Sequence, residues 1–229
     1  KWSDGVPFTA DDIMFYFEHQ APYNELNAVP PQSWLIGGEL LDAEKVDDYT
    51  VRLHAAAPAY TIIHAMSHAN GAQPGEWVGF FQAEHYAKQF HADFLGEEAA
   101  EKKAAELGFD SWQEMYRAKT YSCYGIQLAP GQAPTMTAYV AVERTPSRWV
   151  WERNPYYWKV DPEGNQLPYI DRLVVNLIGA DQQTLNGKII TGEADWANGA
   201  LQDMPLYLEN EEKADLKIIT LQDTGVSGV

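Results

Sequence analysis

Apolar and polar positions recur along this chain with two periods, and the change of period divides it. From Thr9 the apolar residues fall at helical spacing. Thr9-Ala-Asp-Asp12 reads as a capping box, with Thr9 as N-cap and Asp12 at N3, and Phe8 and Ile13 take the hydrophobic-staple positions. This predicts a helix to about Gln20 that turns Ile13, Met14 and Phe17 toward a core, with Pro22, Pro30 and Pro31 preventing its continuation. Val46 to His54 alternates, with Tyr49, Val51 and Leu53 set against Asp48, Thr50 and Arg52, and predicts a strand ended by Pro58. Helical patterns follow at 59–69 and 82–91, around a Pro-Gly loop at 71–79. Gly96 to Leu107 is rich in Ala, Glu and Lys, and Gly108 stands at its expected stop. Ser111-Trp-Gln-Glu114 is a second capping box and opens a helix through Ala118.

The period changes near residue 134, after a Pro- and Gly-bearing stretch at 127–134 that reads as a linker. Thr135–Arg144 and Ser147–Arg153 predict a hairpin turning at Thr145-Pro146. Beyond it, strand patterns at 173–178, 193–197 and 216–221 alternate with helices at 181–190, capped by Asp181, and 204–213. The expected class is α/β, a mixed α+β chain. Between Trp151 and Asp171 lies a proline- and aromatic-rich connection, a locked corner rather than an idle loop.

Composition narrows the function classes. The chain has 229 residues, enough for one or two domains with a real core. It carries 33 acids against 16 bases, a net charge of -17. The acids spread over both sides of residue 134, and no basic run exists to meet a phosphate backbone, so nucleic acid is excluded as a partner. The single cysteine, Cys123, allows no internal disulfide and reads as an inert residue. No apolar run approaches the ~20 residues that span a bilayer. The first residue is a lysine inside what reads as a motif, so the expectation is an internal piece of a longer protein.

Candidate chemistry is sparse. His64 and His68 stand one helical turn apart, which is half a metal site, and His54 or His85 would have to complete it. The pattern departs from the His-Glu-x-x-His of zinc hydrolases, and no metal or cofactor is expected. With so many acids a carboxylate pair for glycoside hydrolysis is always at hand, but no spacing singles one out. Nucleophile elbow, P-loop and dinucleotide fingerprint are absent. The expectation is a non-enzyme with no catalytic residues.

Two blocks resemble the family 5 extracytoplasmic solute-binding proteins of ABC importers, the oligopeptide, dipeptide and nickel-binding group. Lys1-Trp-Ser-Asp-Gly-Val-Pro-Phe-Thr-Ala-Asp-Asp12 follows the family's W-S-D-G-x-P-x-T-A-x-D signature. Arg153-Asn-Pro-Tyr-Tyr-Trp158, continued by Leu167-Pro-Tyr-Ile-Asp171, follows its R-N-P-x-Y-W segment. Ile190-Thr-Gly-Glu-Ala-Asp-Trp196 resembles its G-E-x-D element. The first two blocks have structural readings as well: a turn and a helix cap for the first, aromatics sealing a sheet corner for the second.

The resemblance implies a type II periplasmic-binding-protein-like lobe with a small α+β domain beside it. Residues 1–134 would be the accessory domain and 135–229 part of the first main lobe, with the second lobe outside this chain. It implies ligand contacts at Trp196, Ala197, Asn198 and Gly199, where Asn198 offers a donor and an acceptor and Gly199 allows close backbone approach. Trp196 would either stack on ligand or fill the core. The implied ligand is an oligopeptide, with a cello-oligosaccharide-like sugar as the alternative; outside the resemblance, the less favoured reading from a different class is a secreted carbohydrate-active enzyme. The implied setting is a periplasmic or extracytoplasmic monomer that delivers to an ABC permease, with its targeting signal outside this chain.

Overall fold

In the computed structural model, residues 1–22, 26, 34–60, 62–63, 80–120, 129–179, 181–197 and 203–219 are described. The chain separates into two compact units, Lys1–Val175 and Asn176–Val229. Residues 135–175 therefore share a unit with 1–134.

The first unit opens with α1 (Ala10–Phe15), which passes directly into a π-helical turn, Tyr16–Gln20. Thr9 N–H donates to Asp12 Oδ2 at 2.8 Å, the reach-back bond expected of the capping box. The other Asp12 oxygen accepts from Glu84 N–H at 3.0 Å. Glu84 begins α2 (Glu84–Ala87), so one buried carboxylate ties together the starts of two helices. Burial raises the Asp12 pKa, while the N–H groups of Thr9 and Glu84, the Trp2 indole and His85 pull it back.

The π turn redirects the helix face that was expected to present Ile13, Met14 and Phe17. Phe15 enters one apolar cluster, with Leu26, Ala87, Phe90, Ala100, Trp112 and Tyr116 among its members. Tyr16 and Phe17 enter another, with Ala21, Trp34, Leu41 and Phe80, while Ile13 only borders it. Trp34 Nε1 donates to Tyr16 Oη at 3.0 Å inside that second cluster.

Short strands β1 (Leu35–Ile36) and β2 (Glu39–Leu40) pair antiparallel. The single strand expected over Val46–His54 is instead a hairpin, β3 (Asp42–Asp47) and β4 (Thr50–His54). Its alternation runs through the turn unbroken. Asp47 overrides it by accepting Tyr49 N–H at 2.8 Å, which leaves Tyr49 81% exposed.

The helix expected over 82–91 is reduced to α2, and a turn then leads into α3 (Ala92–Leu95). The following helices fall close to expectation: α4 (Glu97–Glu106), with Gly108 at positive φ beyond its end, and α5 (Trp112–Thr120). Ser111 Oγ accepts from Glu114 N–H, but Glu114 reaches back one residue farther than the box requires, to Asp110 N–H.

β5 (Tyr139–Arg144) and β6 (Arg148–Arg153) form the expected hairpin, with Thr145 bonding across the turn to Arg148. β7 (Arg172–Asn176) lies beside β6 in a three-stranded sheet. Asn154, fully buried, follows β6 directly. Its N–H donates to Ala138 O at 2.9 Å, its Nδ2 to Thr137 O at 2.9 Å, and its Oδ1 accepts from Tyr156 N–H at 2.9 Å. Thr135 in turn exchanges backbone and hydroxyl bonds with Ser3, at 2.9 and 3.1 Å. The corner is thus held by an amide beside the expected aromatics, of which Tyr156 lies against Gly5 while Trp158 is 68% exposed.

In the second unit, α6 (Gln182–Ile190) is capped by Asp181 as expected, and α7 (Met204–Asn210) follows. Residues 193–197 and 216–219 are not strands. The strand–helix alternation expected of the last third is therefore reduced, among the described residues, to β7 and two helices. The remainder of the strand expected at 216–221, most of the helix at 59–69, the loop at 71–79, His64, His68 and Cys123 lie outside the described residues.

Replacing Asn154 with Ala removes the side-chain bonds to Thr137 O and Tyr156 N–H and leaves both groups without this partner. Full-length Asn154→Ala is expected to lose about 2–3 kcal/mol of unfolding free energy in urea titration. A second outcome concerns pH. His91 is buried, and its Nδ1 accepts from Asp93 N–H at 3.2 Å, which holds the ring neutral. Burial pushes its pKa below 6.5; the Asp93 charge opposes this, and His19 lowers it by charge and raises it through a backbone hydrogen bond. The unfolded chain then takes up the proton first, so stability is lost as pH falls through about 6.5. Urea titrations at about pH 7.5 and 5.5 should show this loss shrinking in His91→Gln.

Candidate functional site

The expected ligand segment belongs to the second unit and hangs from the end of α6. The sequence Thr191-Gly192 stops that helix because Gly192 adopts φ +72°. Thr191 Oγ1 donates back to Gly187 O at 2.8 Å, and Glu193 N–H donates to Lys188 O at 3.0 Å. Lys188 Nζ meets the Glu193 carboxylate at 2.9 Å, and that bond holds the Glu193 pKa below its ordinary value. These bonds turn Glu193 back over the last helical turn, which is why the G-E-x-D element bends instead of extending as a strand.

Behind the turn, α6 and α7 are joined by polar side chains. Tyr207, buried, donates its hydroxyl to Asn186 Oδ1 at 2.6 Å, and Gln182 Nε2 donates to the same oxygen at 2.8 Å. The turn is thereby held on a fixed base. Trp196 follows it and is 80% exposed. Of the two readings left open for this indole, ligand stacking or core filling, the described residues do not bury it. Ala197 is half-buried, and Asn198 and Gly199 lie outside the described residues.

The other candidates do not assemble. His54 pairs with Glu44 at 3.1 Å and His85 with Asp4 at 2.7 Å. Among the described residues no group of three or more His, Cys, Asp or Glu could hold a metal. The first unit also contains a cavity of about 570 Å³ lined by both fingerprint blocks, including Lys1, Trp2, Trp158 and Lys159. Sequence reasoning assigned these blocks to turns and packing. The signal it passed over was two lysines placed beside aromatic residues in a chain poor in bases.

Residues 1–227 match the family described as "Bacterial extracellular solute-binding proteins, family 5 Middle". The chain belongs to the family 5 solute-binding proteins. A curated relative, the periplasmic alpha-galactoside-binding protein of Rhizobium meliloti (strain 1021), is 32% identical over 222 residues, covering 93% of this chain and 27% of that protein. The solved oligopeptide-binding protein OppA is similar at 30% identity and TM-score 0.76, covering 93% of this chain and 32% of that one. The periplasmic binding protein MelB of Agrobacterium fabrum C58, solved with stachyose, is similar at 26% identity and TM-score 0.58, covering 92% and 28%. The chain spans about a third or less of the length of each. These relatives are binding proteins, and their likeness supports the mixed α+β, type II assignment. No helix among the described residues is long and apolar enough to cross a membrane.

An alanine at Gly192 has room for its Cβ, since the nearest atom shown is Ala214 O at 3.8 Å. The cost of Gly192→Ala is therefore conformational, about 1 kcal/mol at positive φ. Hydrogen exchange of the 191–193 amides is expected to speed up about fivefold, with the β5–β6 amides unchanged.

Proposed function

We propose that this chain is part of the solute-capturing component of an ABC importer, and that the complete protein takes an oligosaccharide. The observation that carries the reading is the exposed indole of Trp196, presented on a turn fixed by bonds to α6. An indole face gives a large, rigid contact that suits the apolar face of a sugar ring. The α-galactoside-binding relative and the stachyose-bound MelB support the same ligand class. Ala197, Asn198 and Gly199 would continue the contact, with backbone and amide groups meeting ligand hydroxyls.

In this reading residues 1–134 form the accessory domain and 135–229 part of the first lobe. The second lobe closes over the solute by hinge motion. A monomer outside the cytoplasm then hands the solute to a membrane permease, with no catalysis and no cofactor. An oligopeptide is the second reading. It is favoured by the TM-score of 0.76 to OppA, and it would use the same segment for main-chain bonds.

The deciding experiment is calorimetry on the full-length protein with stachyose and with a pentapeptide. Stachyose is expected to bind, and Trp196→Ala to weaken it at least about tenfold, roughly 1.4 kcal/mol, with Trp196→Phe in between. Binding of the pentapeptide with no heat from stachyose would overturn the sugar reading in favour of the second.

A further inference from the structure

The 570 Å³ cavity belongs to the first unit alone and contains none of residues 196–199. Its size is that of a small-molecule site. One wall is a chain of edge-to-face rings. Trp2 meets Phe8 at 5.7 Å, Phe8 meets Phe81 at 5.2 Å, and Phe81 meets Phe80 of the second apolar cluster at 4.4 Å. This wall is continuous with the core and so cannot easily collapse into the space. Another wall is the segment 133–138. It is fixed by Ala133 N–H on Lys119 O, by the Ser3–Thr135 pair and by Asn154. Buried Thr135 adds a polar group to that wall.

Trp158 and Lys159 also line the cavity, as does Lys1. Lys159 Nζ stands 5.1 Å from the Trp158 ring centre, and Lys1 Nζ stands 5.6 Å from that of Tyr156. Among the described residues, the lysine ion pairs are made by Lys45, Lys88 and Lys188. The two lysines at the cavity are thus held by rings and not by carboxylates, in a chain that has 33 acids for 16 bases. Net charge repels an anion at long range. Beyond about 10 Å salt screens that repulsion, and two ammonium groups line the cavity itself.

We propose that this cavity binds a small organic anion, a flat carboxylate with an apolar body. The body lies against the Trp2–Phe8–Phe81 wall and Trp158, and the carboxylate lies between Lys1 and Lys159. The site shares no residue with the solute segment at Trp196.

The test is calorimetry on the full-length protein with three probes of one shape: 2-naphthoate, 2-naphthalenemethanol and 2-naphthylmethylammonium. Naphthoate is expected to bind with one-to-one stoichiometry, the alcohol about tenfold more weakly, and the ammonium not at all. Lys159→Gln should weaken naphthoate about tenfold while Lys159→Arg retains it. Trp158→Ala should weaken naphthoate and the alcohol alike. Trp196→Ala should leave naphthoate unchanged, so failure here is distinguishable from failure of the solute reading. The proposal is overturned if naphthoate gives no heat, if the three probes bind equally, or if folded Lys159→Gln binds naphthoate as the parent does.

Discussion

The first unit depends on one buried amide. Asn154 leaves the end of β6 and bonds backbone groups of Thr137, Ala138 and Tyr156. A buried polar side chain with full partners is stable only in one arrangement, because each bond lost in low dielectric is costly. That fixes the path of 135–138, and Thr135 passes the constraint on to Ser3. The N-terminal turn, the crossing segment and the sheet corner are therefore a single hydrogen-bonded assembly. Asp12 plays the corresponding part on the helical side by holding the starts of α1 and α2.

The second unit uses the same device on a smaller scale. Asn186 accepts from Tyr207 and Gln182, while Thr191 and Glu193 bond back over the last turn of α6. The segment that follows inherits its direction from these bonds. If Trp196 meets solute as proposed, a contact placed in this way needs little ordering, and reduced ordering cost is how a preorganised contact gains affinity.

Where local chemistry decides structure, the sequence could be read. The hairpin at 139–153 follows from alternation broken by Thr145-Pro146, and the cap of α6 follows from Asp181. Where a nonlocal or competing bond decides, it could not. The turn at Asp48-Tyr49 lies inside an unbroken strand pattern, and the Glu193 bend depends on bonds to residues three to five positions earlier. Asn154 precedes a proline and so reads as a strand breaker; its bonds to Thr137 and Ala138 are not coded nearby. Trp196 could be named as a candidate because a motif marks it, and only the structure shows its face uncovered. Trp158 closes the Arg-Asn-Pro-Tyr-Tyr-Trp block and Lys159 follows it, but their place at a cavity depends on Lys1 and Trp2 more than 150 positions away.

Gly5 adopts φ +91°, and a Cβ there would stand 3.0 Å from the Tyr156 hydroxyl and 3.1 Å from its ring. Gly5 belongs to the Trp-Ser-Asp-Gly block and Tyr156 to the Arg-Asn-Pro-Tyr-Tyr block. The two signatures are the two faces of one contact. A chimaera that took one block from one family member and the other from a distant one would join surfaces shaped for different neighbours. Recombination in this family should respect that seam, and the blocks should be exchanged together or not at all.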